Sequence, residues 1–355
     1  MLPPRYKPLT NSVTPGGFGA VQKVFDTYLG RTVLFKSMLD HKNNAQLINE
    51  VQTLSKARSR HVVEIYDVIC DGSGIVTGII IELLEGRDYL TFHTEAQKNP
   101  ALFIRALYQI GTAIADLHKA GVIHRDIKLD NIKESQAGVL KLFDFGISVD
   151  RADYHTQSNR GTLVYAAPEL YIGQAAITKK MDIYALGVCA WALATQAWPA
   201  PLLERPPQTS KRCQSIEDAM PKLLSPELVE LIDACLSPDP SRRPDAGFFS
   251  EVLGRHLVRG QHKGIFVQGT TAVFELSSVK PNVKIKIGVL GAIKVFYDQI
   301  VFRIDEVDGA VFVNNIPAVV GMILHNSCVL TFGLPALGAS RQWVTFSSSH
   351  PEVVL

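Results

Sequence analysis

Residues 124–131 read His-Arg-Asp-Ile-Lys-Leu-Asp-Asn, and this short stretch decides how the rest of the chain is interpreted. It carries a carboxylate at Asp126, an ammonium at Lys128 and an amide at Asn131, five residues after Asp126. A carboxylate so placed can accept the proton of an attacking hydroxyl, while the ammonium neutralises charge on a phosphate and the amide holds a metal ion. The stretch predicts a loop that catalyses phosphoryl transfer.

A second polar stretch, Asp144-Phe145-Gly146, follows an apolar run and stands thirteen residues after Asn131. This spacing lets Asp144 and Asn131 converge on a Mg²⁺ ion held between phosphates. Together the two stretches resemble the catalytic loop and metal-binding segment of eukaryotic-type serine/threonine protein kinases. The resemblance extends over about residues 10–257 and implies a two-lobed kinase fold with ATP and Mg²⁺ as cofactors.

The segment Val13 to Val21 resembles the glycine-rich loop of these kinases. Glycines let backbone amides approach phosphate closely, and Phe18 is placed to cap the γ-phosphate end of the loop. Thr14 stands where the family usually has its first glycine, so the cradle around the phosphates is expected to be less tight. The predicted nucleotide contacts in this segment are Gly16, Gly17, Phe18, Gly19 and Val21.

Lys36 lies at the end of a strand-like run, fifteen residues after Val21, and corresponds to the lysine that pairs the α- and β-phosphates. Leu34 in the same run is predicted to contact the nucleotide. Glu50 lies on an amphipathic segment with apolar residues at helical offsets, so it can point inward and orient Lys36. Taken alone, Lys36 would be read as a surface lysine and Glu50 as a solvated carboxylate.

The segment that ends the small lobe resembles a kinase hinge, with Ile81 as the gatekeeper. The resemblance implies that the main chains of Glu82 and Leu84 bind the adenine edge. Asp88 is predicted to lie near the ribose hydroxyls, although a helix N-cap is an equal alternative. Lys133 replaces the apolar residue that the family supplies beneath the adenine, and its methylene stem can lie flat there.

Three further residues correspond to positions that hold the kinase fold together. Glu169, in Ala167-Pro168-Glu169, closes the activation segment and is expected to pair with Arg243 inside the large lobe. Asp182, which opens an apolar helix pattern, resembles the residue that fixes the backbone of the catalytic loop. These residues are interpreted as structural support.

Lys128, with Gly161-Thr162 before the activation segment ends, resembles the pattern of serine/threonine kinases, so the acceptor is expected to be a Ser or Thr hydroxyl of a protein. Arg125 precedes the catalytic aspartate, and such kinases often pair this arginine with a phosphorylated residue. The alternative is that the hydroxyl residues of the activation segment are ordinary polar loop residues that are not phosphorylated. The predicted regulatory residues are Arg125, Thr156, Ser158 and Thr162, with Tyr154 a further candidate.

From Gly264 onward, short alternating apolar runs separated by Gly, Asn, Pro and Asp predict a separate β domain. Residues 302–315 and 329–333 are weakly similar to the second half of a forkhead-associated β-sandwich, which would imply phosphothreonine recognition. Residues 264–300 lack the Gly-Arg and Ser-x-x-His arrangement with which such domains grip phosphate. A sandwich that serves dimerisation or docking is the alternative.

The predicted fold class is therefore α+β, a bilobal kinase fold followed by an all-β sandwich. The predicted boundaries are 1–84 for the small lobe, 85–257 for the large lobe and 264–355 for the sandwich. The rival interpretation is a pseudokinase scaffold that acts through the β domain, since Thr14 and Lys133 depart from the family pattern.

Composition agrees with a globular protein, because 46% of the 355 residues are hydrophobic and 20% are charged. A net charge of +2 is too small to indicate nucleic acid or an anionic membrane as a partner. Five scattered cysteines predict neither disulfides nor a zinc site, and the amino terminus lacks the apolar core of a signal peptide. Residues 183–198 and 316–339, the most apolar stretches, are interpreted as buried core. A cytoplasmic protein that binds protein partners, with a homodimer possible, is expected.

Overall fold

The computed structural model describes residues 2–9, 14–15, 19–38, 44–56, 58–87, 89, 91–145, 162–171, 176–269, 272–349, 351 and 353. The chain divides after Leu253 into two compact units. The first unit mixes helices and strands. The described residues of the second unit form sheets, and its one helical part is the end of a helix that starts in the first unit, at Ala246. This is the order of structural classes that the sequence predicts.

The first unit begins with an antiparallel sheet in the strand order β1-β3-β4-β6-β5, with β2 paired to β3. Its β-branched and aromatic residues favour strands, and their inward side chains pack beneath helix α1. The elements are β1 (Tyr6–Pro8), β2 (Thr14–Pro15), β3 (Gly19–Asp26), β4 (Arg31–Met38), α1 (Asn44–Lys56), β5 (Ile65–Cys70) and β6 (Val76–Ile81).

The rest of the first unit is mainly helical. Its α-helices and strands are α2 (His93–Lys98), α3 (Pro100–Lys119), β7 (Ile132–Glu134), β8 (Leu140–Leu142), α4 (Lys179–Ala194), α5 (Pro226–Cys235) and α6 (Ala246–Leu257). Short 3₁₀ helices connect several of them, including Leu129–Asn131 in the predicted catalytic loop. Helix α3 starts at Pro100, and the Asn99 side chain accepts a hydrogen bond from the Ala101 N–H, which caps the helix.

Helix α4 lies at the centre of this part of the molecule. Residues around its whole circumference are buried, from Met181 to Ala194, as expected for a helix that is apolar on all sides. The helix begins at Lys179, three residues before the start that the sequence indicates at Asp182. Asp182 therefore sits within its first turn and is only 1% exposed.

The second unit consists of two antiparallel sheets whose inward side chains form one hydrophobic cluster. One sheet has six strands in the order β10-β9-β17-β16-β14-β15, and the other has three in the order β11-β12-β13. The strands are β9 (Gly264–Gln268), β10 (Ala272–Leu276), β11 (Asn282–Ile287), β12 (Gly291–Tyr297), β13 (Phe302–Gly309), β14 (Val311–Val313), β15 (Ile316–Pro317), β16 (Ser327–Phe332) and β17 (Gln342–Ser348).

One expectation about the core is wrong. Residues 316–339 were expected to be buried, yet Ile316, Val320 and Leu334 are each more than half exposed. Within this stretch, Leu324 and alternate residues of β16, such as Leu330, are buried in the cluster. Hydropathy sums cannot distinguish a buried run from loops and an outer sheet face that happen to be apolar.

No helix among the described residues is both long and apolar enough to cross a membrane.

Candidate active site

The backbone of the catalytic loop is held by Asp182. Its carboxylate accepts hydrogen bonds from the N–H groups of His124 at 2.9 Å and Arg125 at 2.8 Å. Arg125 has a φ of 70°, in the left-handed region that an ordinary side chain adopts only when its surroundings hold it there. The two hydrogen bonds that these N–H groups donate to the Asp182 carboxylate supply that constraint.

Asp126, Lys128 and Asn131 meet in this loop. The Lys128 ammonium lies 2.8 Å from Asp126 Oδ2, and Asn131 Nδ2 donates to the same oxygen at 2.9 Å. Asn131 Nδ2 also donates to the main-chain oxygen of Asp126 at 2.9 Å. Because the amide nitrogen is used twice, the orientation of the Asn131 side chain is fixed and its carbonyl oxygen is turned away from Asp126.

Lys36, Glu50 and Asp144 form a second group, which joins three separate elements. The Lys36 ammonium lies 2.8 Å from Glu50 Oε2 and 3.0 Å from Asp144 Oδ1. Lys36 comes from β4 and Glu50 from α1, so the ion pair requires this helix to pack against the sheet. Glu50 is 2% exposed and Asp144 is 32% exposed, which leaves the aspartate as the open side of the group.

Electrostatic interactions within this group keep Lys36 and Asp144 charged. Burial lowers the pKa of Lys36, but the carboxylates of Glu50 and Asp144 outweigh it and hold that pKa above its usual value. Burial raises the pKa of Asp144, but the Lys36 ammonium outweighs it and the pKa of Asp144 lies below its usual value. Burial raises the pKa of Glu50, and the Lys36 ammonium opposes that rise. Lys36 therefore stays a cation, and Asp144 stays an anion, at neutral pH.

The hairpin of β7 and β8 joins the two groups. The N–H of Phe143, the residue before Asp144, donates to the main-chain carbonyl of Asn131 at 3.0 Å. Leu142 in β8 pairs with the segment before β5, since its N–H donates to His61 O at 2.9 Å and its carbonyl accepts from the Val63 N–H at 3.0 Å. Asp144 has a φ of 66°, which turns the chain at the end of this hairpin. Asn131 and Asp144 are thereby held on the same side of the cleft.

The predicted hinge follows β6 directly. Ile81 is 7% exposed and pairs with Leu34 of β4, while Val21 pairs with Lys36, so these residues share one region of the sheet. The Glu82 N–H donates to Glu64 O at 2.9 Å. Among the described residues, no hydrogen bond forms to the main-chain N–H or carbonyl of Leu84.

Lys133 lies on β7, where it is partly buried and pairs with Lys141 of β8. The remaining predicted contacts cannot be placed. Gly16, Gly17, Phe18, Asp88, Thr156 and Ser158 lie outside the described residues, as does Tyr154. Gly19 is the first residue of β3, and Thr162 begins a 3₁₀ helix that ends at Tyr165.

Glu169 and Arg243 form a bidentate ion pair, with nitrogen to oxygen distances of 2.6 and 2.8 Å. The Arg243 side chain has no solvent exposure and also donates to the carbonyls of Ser237 and Lys180. A fully buried guanidinium needs such a complete set of acceptors. The pair joins the end of the activation segment to the segment before α6, and the bond from Arg243 to the Lys180 carbonyl adds the start of α4.

Two polar contacts near the site were missed from sequence. His118 Nε2 lies 2.8 Å from Asp182 Oδ2, so a residue of α3 supports the same carboxylate that holds the catalytic loop. The buried Lys141 lies 2.6 Å from Glu82 Oε2, which ties β8 to the hinge. His118 sits at the inward face of an amphipathic helix, and this position could have indicated it. Lys141 gave no comparable signal, because its position between Leu140 and Leu142 in β8 predicts an outward, exposed lysine.

Residues 10–254 match the model of the protein kinase domain family. This chain belongs to that family. The finding confirms the resemblance and the predicted fold class, a kinase domain followed by an all-β region. Members of the family use ATP and Mg²⁺, in agreement with the predicted cofactors.

Individual kinases are similar over the same part of the chain. Aurora kinase of Schizosaccharomyces pombe is 30% identical over 240 residues, which are 64% of this chain and 65% of the relative. CBL-interacting protein kinase 25 of Oryza sativa is 30% identical over 222 residues, 59% of this chain and 43% of the relative. Serine/threonine-protein kinase PrkC of Bacillus subtilis is 34% identical over 195 residues, 52% of this chain and 29% of the relative. This chain thus covers less than two thirds of each of these relatives.

Proposed function

We propose that this chain is an active protein kinase that transfers the γ-phosphate of ATP to Ser or Thr hydroxyls of proteins. The observation that carries the proposal is the convergence of two charged groups, one built on Asp126 and the other on Lys36. Relatives named as serine/threonine kinases support the acceptor class. Phosphoryl transfer requires mainly positioning and electrostatic stabilisation, and a set of pre-oriented charges supplies both.

In this mechanism the Asp126 carboxylate orients the acceptor hydroxyl and accepts its proton. Lys128, already 2.8 Å from Asp126, offsets negative charge on the phosphoryl group during transfer. Lys36 binds the α- and β-phosphates, and Glu50 holds the ammonium in position from its buried side. The main chain of Leu84 binds the adenine edge.

The residues present fit a magnesium ion. Mg²⁺ prefers oxygen ligands and usually combines one or two protein groups with substrate phosphates. The Asn131 side-chain oxygen is turned away from Asp126, and Asp144 Oδ1 lies beside Lys36 while no ion pair to Oδ2 forms among the described residues. When bound, the ion neutralises charge on the phosphates. Asn131 and Asp144 are the residues that would hold it.

The test is transfer of labelled γ-phosphate from ATP to a generic acceptor protein in the presence of Mg²⁺. Asp126→Ala is expected to lower the transfer rate by about 10²- to 10⁴-fold, the usual contribution of a general base. Asp130→Ala, which removes an exposed carboxylate from the same loop, is the matched control and is expected to keep the rate within about threefold. If the wild-type chain is folded yet transfers no phosphate, the scaffold interpretation replaces this one.

We further propose that the kinase phosphorylates its own activation segment at Thr156 or Ser158, with Arg125 binding the phosphate. The polar sequence of that segment and the arginine before Asp126 support this proposal. Mapping label by mass spectrometry in the same assay tests it, because Asp126→Ala should abolish the label.

We assign the second unit, residues 254–354, to recognition of a protein partner.

A further inference from the structure

The two sheets of the second unit present very different outer faces. On the three-stranded sheet, the outward positions are mostly charged, and Lys284, Lys294 and Glu306 form a cross-strand ion network. This is the usual pattern for an antiparallel sheet with one face in solvent. The charged outward residues of this sheet are Lys284, Lys286, Lys294, Arg303, Asp305, Glu306 and Asp308.

The outer face of the six-stranded sheet, which we call the uncharged face, has the opposite character. Among the described outward positions of β9, β10, β14, β16 and β17, Glu275 carries the only charge. Glu275 sits at a corner, where Lys263 is 3.7 Å away. The uncharged face comprises Ile265, Val267, Val273, Glu275, Phe312, Ser327, Val329, Thr331, Trp343, Thr345 and Ser347.

The strand register arranges these side chains in continuous rows. One row runs across four strands through Val273, Val267, Thr345 and Val329. The next row joins Trp343 and Thr331 to Phe312, and Arg341 stacks on the Phe312 ring at 4.9 Å.

Several of these residues are strongly exposed. Trp343 is 61% exposed, Val273 is 64% and Val329 is 39%. Rows in which exposed apolar side chains alternate with small hydroxyl side chains, with almost no charge, are a surface on which a partner can bury apolar area.

We propose that the uncharged face is the interface of a homodimer, in which two copies of this chain pack sheet against sheet. Self-association places the same surface on both sides, so several charges of one sign on the face would have no opposite charge to pair with. Among its strand positions this face carries one charge, Glu275, at a corner beside Lys263, and the Arg341 guanidinium stacks on the Phe312 ring.

The area is also sufficient. Five strands about 4.8 Å apart and about 17 Å long give a footprint of roughly 400 Å². Side-chain relief raises the accessible area to roughly 600 Å² per copy, or about 1,200 Å² in total, the lower bound for specific stable interfaces. An interface at this lower limit is expected to be weak, so we test for association at micromolar concentrations.

The test is sedimentation equilibrium of the full chain from about 1 to 100 μM. The wild-type chain is expected to dimerise, and Trp343→Lys to raise the dissociation constant at least about 30-fold. Phe296→Lys is the matched control, since Phe296 is a 37% exposed aromatic residue on the outer face of the three-stranded sheet. That variant is expected to dimerise as the wild type does. Circular dichroism verifies that each variant is folded.

Val329→Lys, at a smaller residue in the other row, provides an independent second variant and is expected to weaken the dimer in the same way. A wild-type chain that stays monomeric at 100 μM overturns the proposal. So does a Trp343→Lys or Val329→Lys variant that dimerises as tightly as the Phe296→Lys control. If the chain stays monomeric and binds a different protein through this face, the homodimer proposal is likewise overturned.

Pairing would also bring two kinase domains into one complex, a consequence that rests on the proposed function. Phosphorylation of one copy by the other would then depend on protein concentration around the same dissociation constant. Sedimentation does not depend on catalysis, so failure of the dimer and failure of the kinase activity can be told apart.

Discussion

Three buried carboxylates of this chain take different roles because they have different neighbours. Asp126 lies between the Lys128 ammonium and the Asn131 amide, Glu50 pairs with Lys36 and accepts a hydrogen bond from the Phe145 main chain, and Asp26 pairs with an arginine far from the site. Arg5 binds Asp26 through two hydrogen bonds of 2.8 and 2.7 Å, which join the first strand to the end of β3. The same side-chain type thus serves chemistry in one place and stability in another.

The Asp26 pair predicts a specific loss of stability in acid. The hydrogen bonds from Arg5 outweigh burial and lower the pKa of Asp26 from 3.8 to about 2. A carboxyl whose pKa is lower in the folded than in the unfolded state stabilises the folded state fully at pH values above its unfolded pKa. The contribution of Asp26 should therefore be lost as the pH falls from its unfolded pKa of 3.8 through its folded pKa of about 2. Urea unfolding between these pH values measures it.

Asp26→Asn should remove this part of the pH dependence, because an amide does not titrate. Asp130→Asn, at an exposed aspartate of the same unit, should keep it. Equal slopes of stability against pH in the wild type and Asp26→Asn would show that the pair does not titrate as described.

The sequence predicted most of the contacts within the candidate site because kinase chemistry places its polar groups at short, fixed separations. Asp126, Lys128 and Asn131 lie within one loop, and the amphipathic pattern around Glu50 identified the face of α1 that meets Lys36. Contacts between distant and unremarkable residues could not be found in this way. Arg5 and Asp26 carry no pattern that joins them, and nothing in β8 indicates that Lys141 is buried against Glu82.

At the scale of elements, the hinge depends on a close approach of two backbones. The Gly86 N–H donates to Glu134 O in β7 at 2.9 Å. A Cβ atom at Gly86 would lie 2.5 Å from Glu134 Cβ and 2.6 Å from Glu134 O, so one of the two segments must move. A glycine here is therefore a packing requirement of the connection between the lobes.

Gly86→Ala is expected to destabilise the chain by about 1–3 kcal/mol and to raise the KM for ATP, because the displaced segment includes Leu84. Thermal unfolding and steady-state kinetics measure the two effects. Gly72→Ala is the matched control, since no atom lies within 4 Å of the added Cβ. Indistinguishable behaviour of the two variants would mean that the hinge adjusts without cost.

At the scale of the whole molecule, each unit has its own hydrophobic cluster. Leu107 belongs to the cluster of the kinase domain and Phe266 to that of the β unit, and neither side chain is exposed. Separate cores can unfold separately, so a single free energy of unfolding need not describe the chain.

Calorimetry of the full chain is expected to show two transitions. Phe266→Ala should weaken one of them by about 3–5 kcal/mol, and Leu107→Ala should weaken the other by about 2–5 kcal/mol. Nucleotide should protect only the transition that Leu107→Ala affects, because ligands stabilise the unit that binds them. If either variant moves both transitions together, the two units unfold cooperatively.

The position of Asp182 has a consequence for motion. The amides of His124 and Arg125 are bound to a carboxylate that is 1% exposed and sits on the most buried helix. Their protons can be replaced by deuterium only when that helix moves away from the loop. The amides beside the reactive aspartate should therefore exchange as slowly as those inside α4, which makes the catalytic loop one of the last parts of the kinase domain to open.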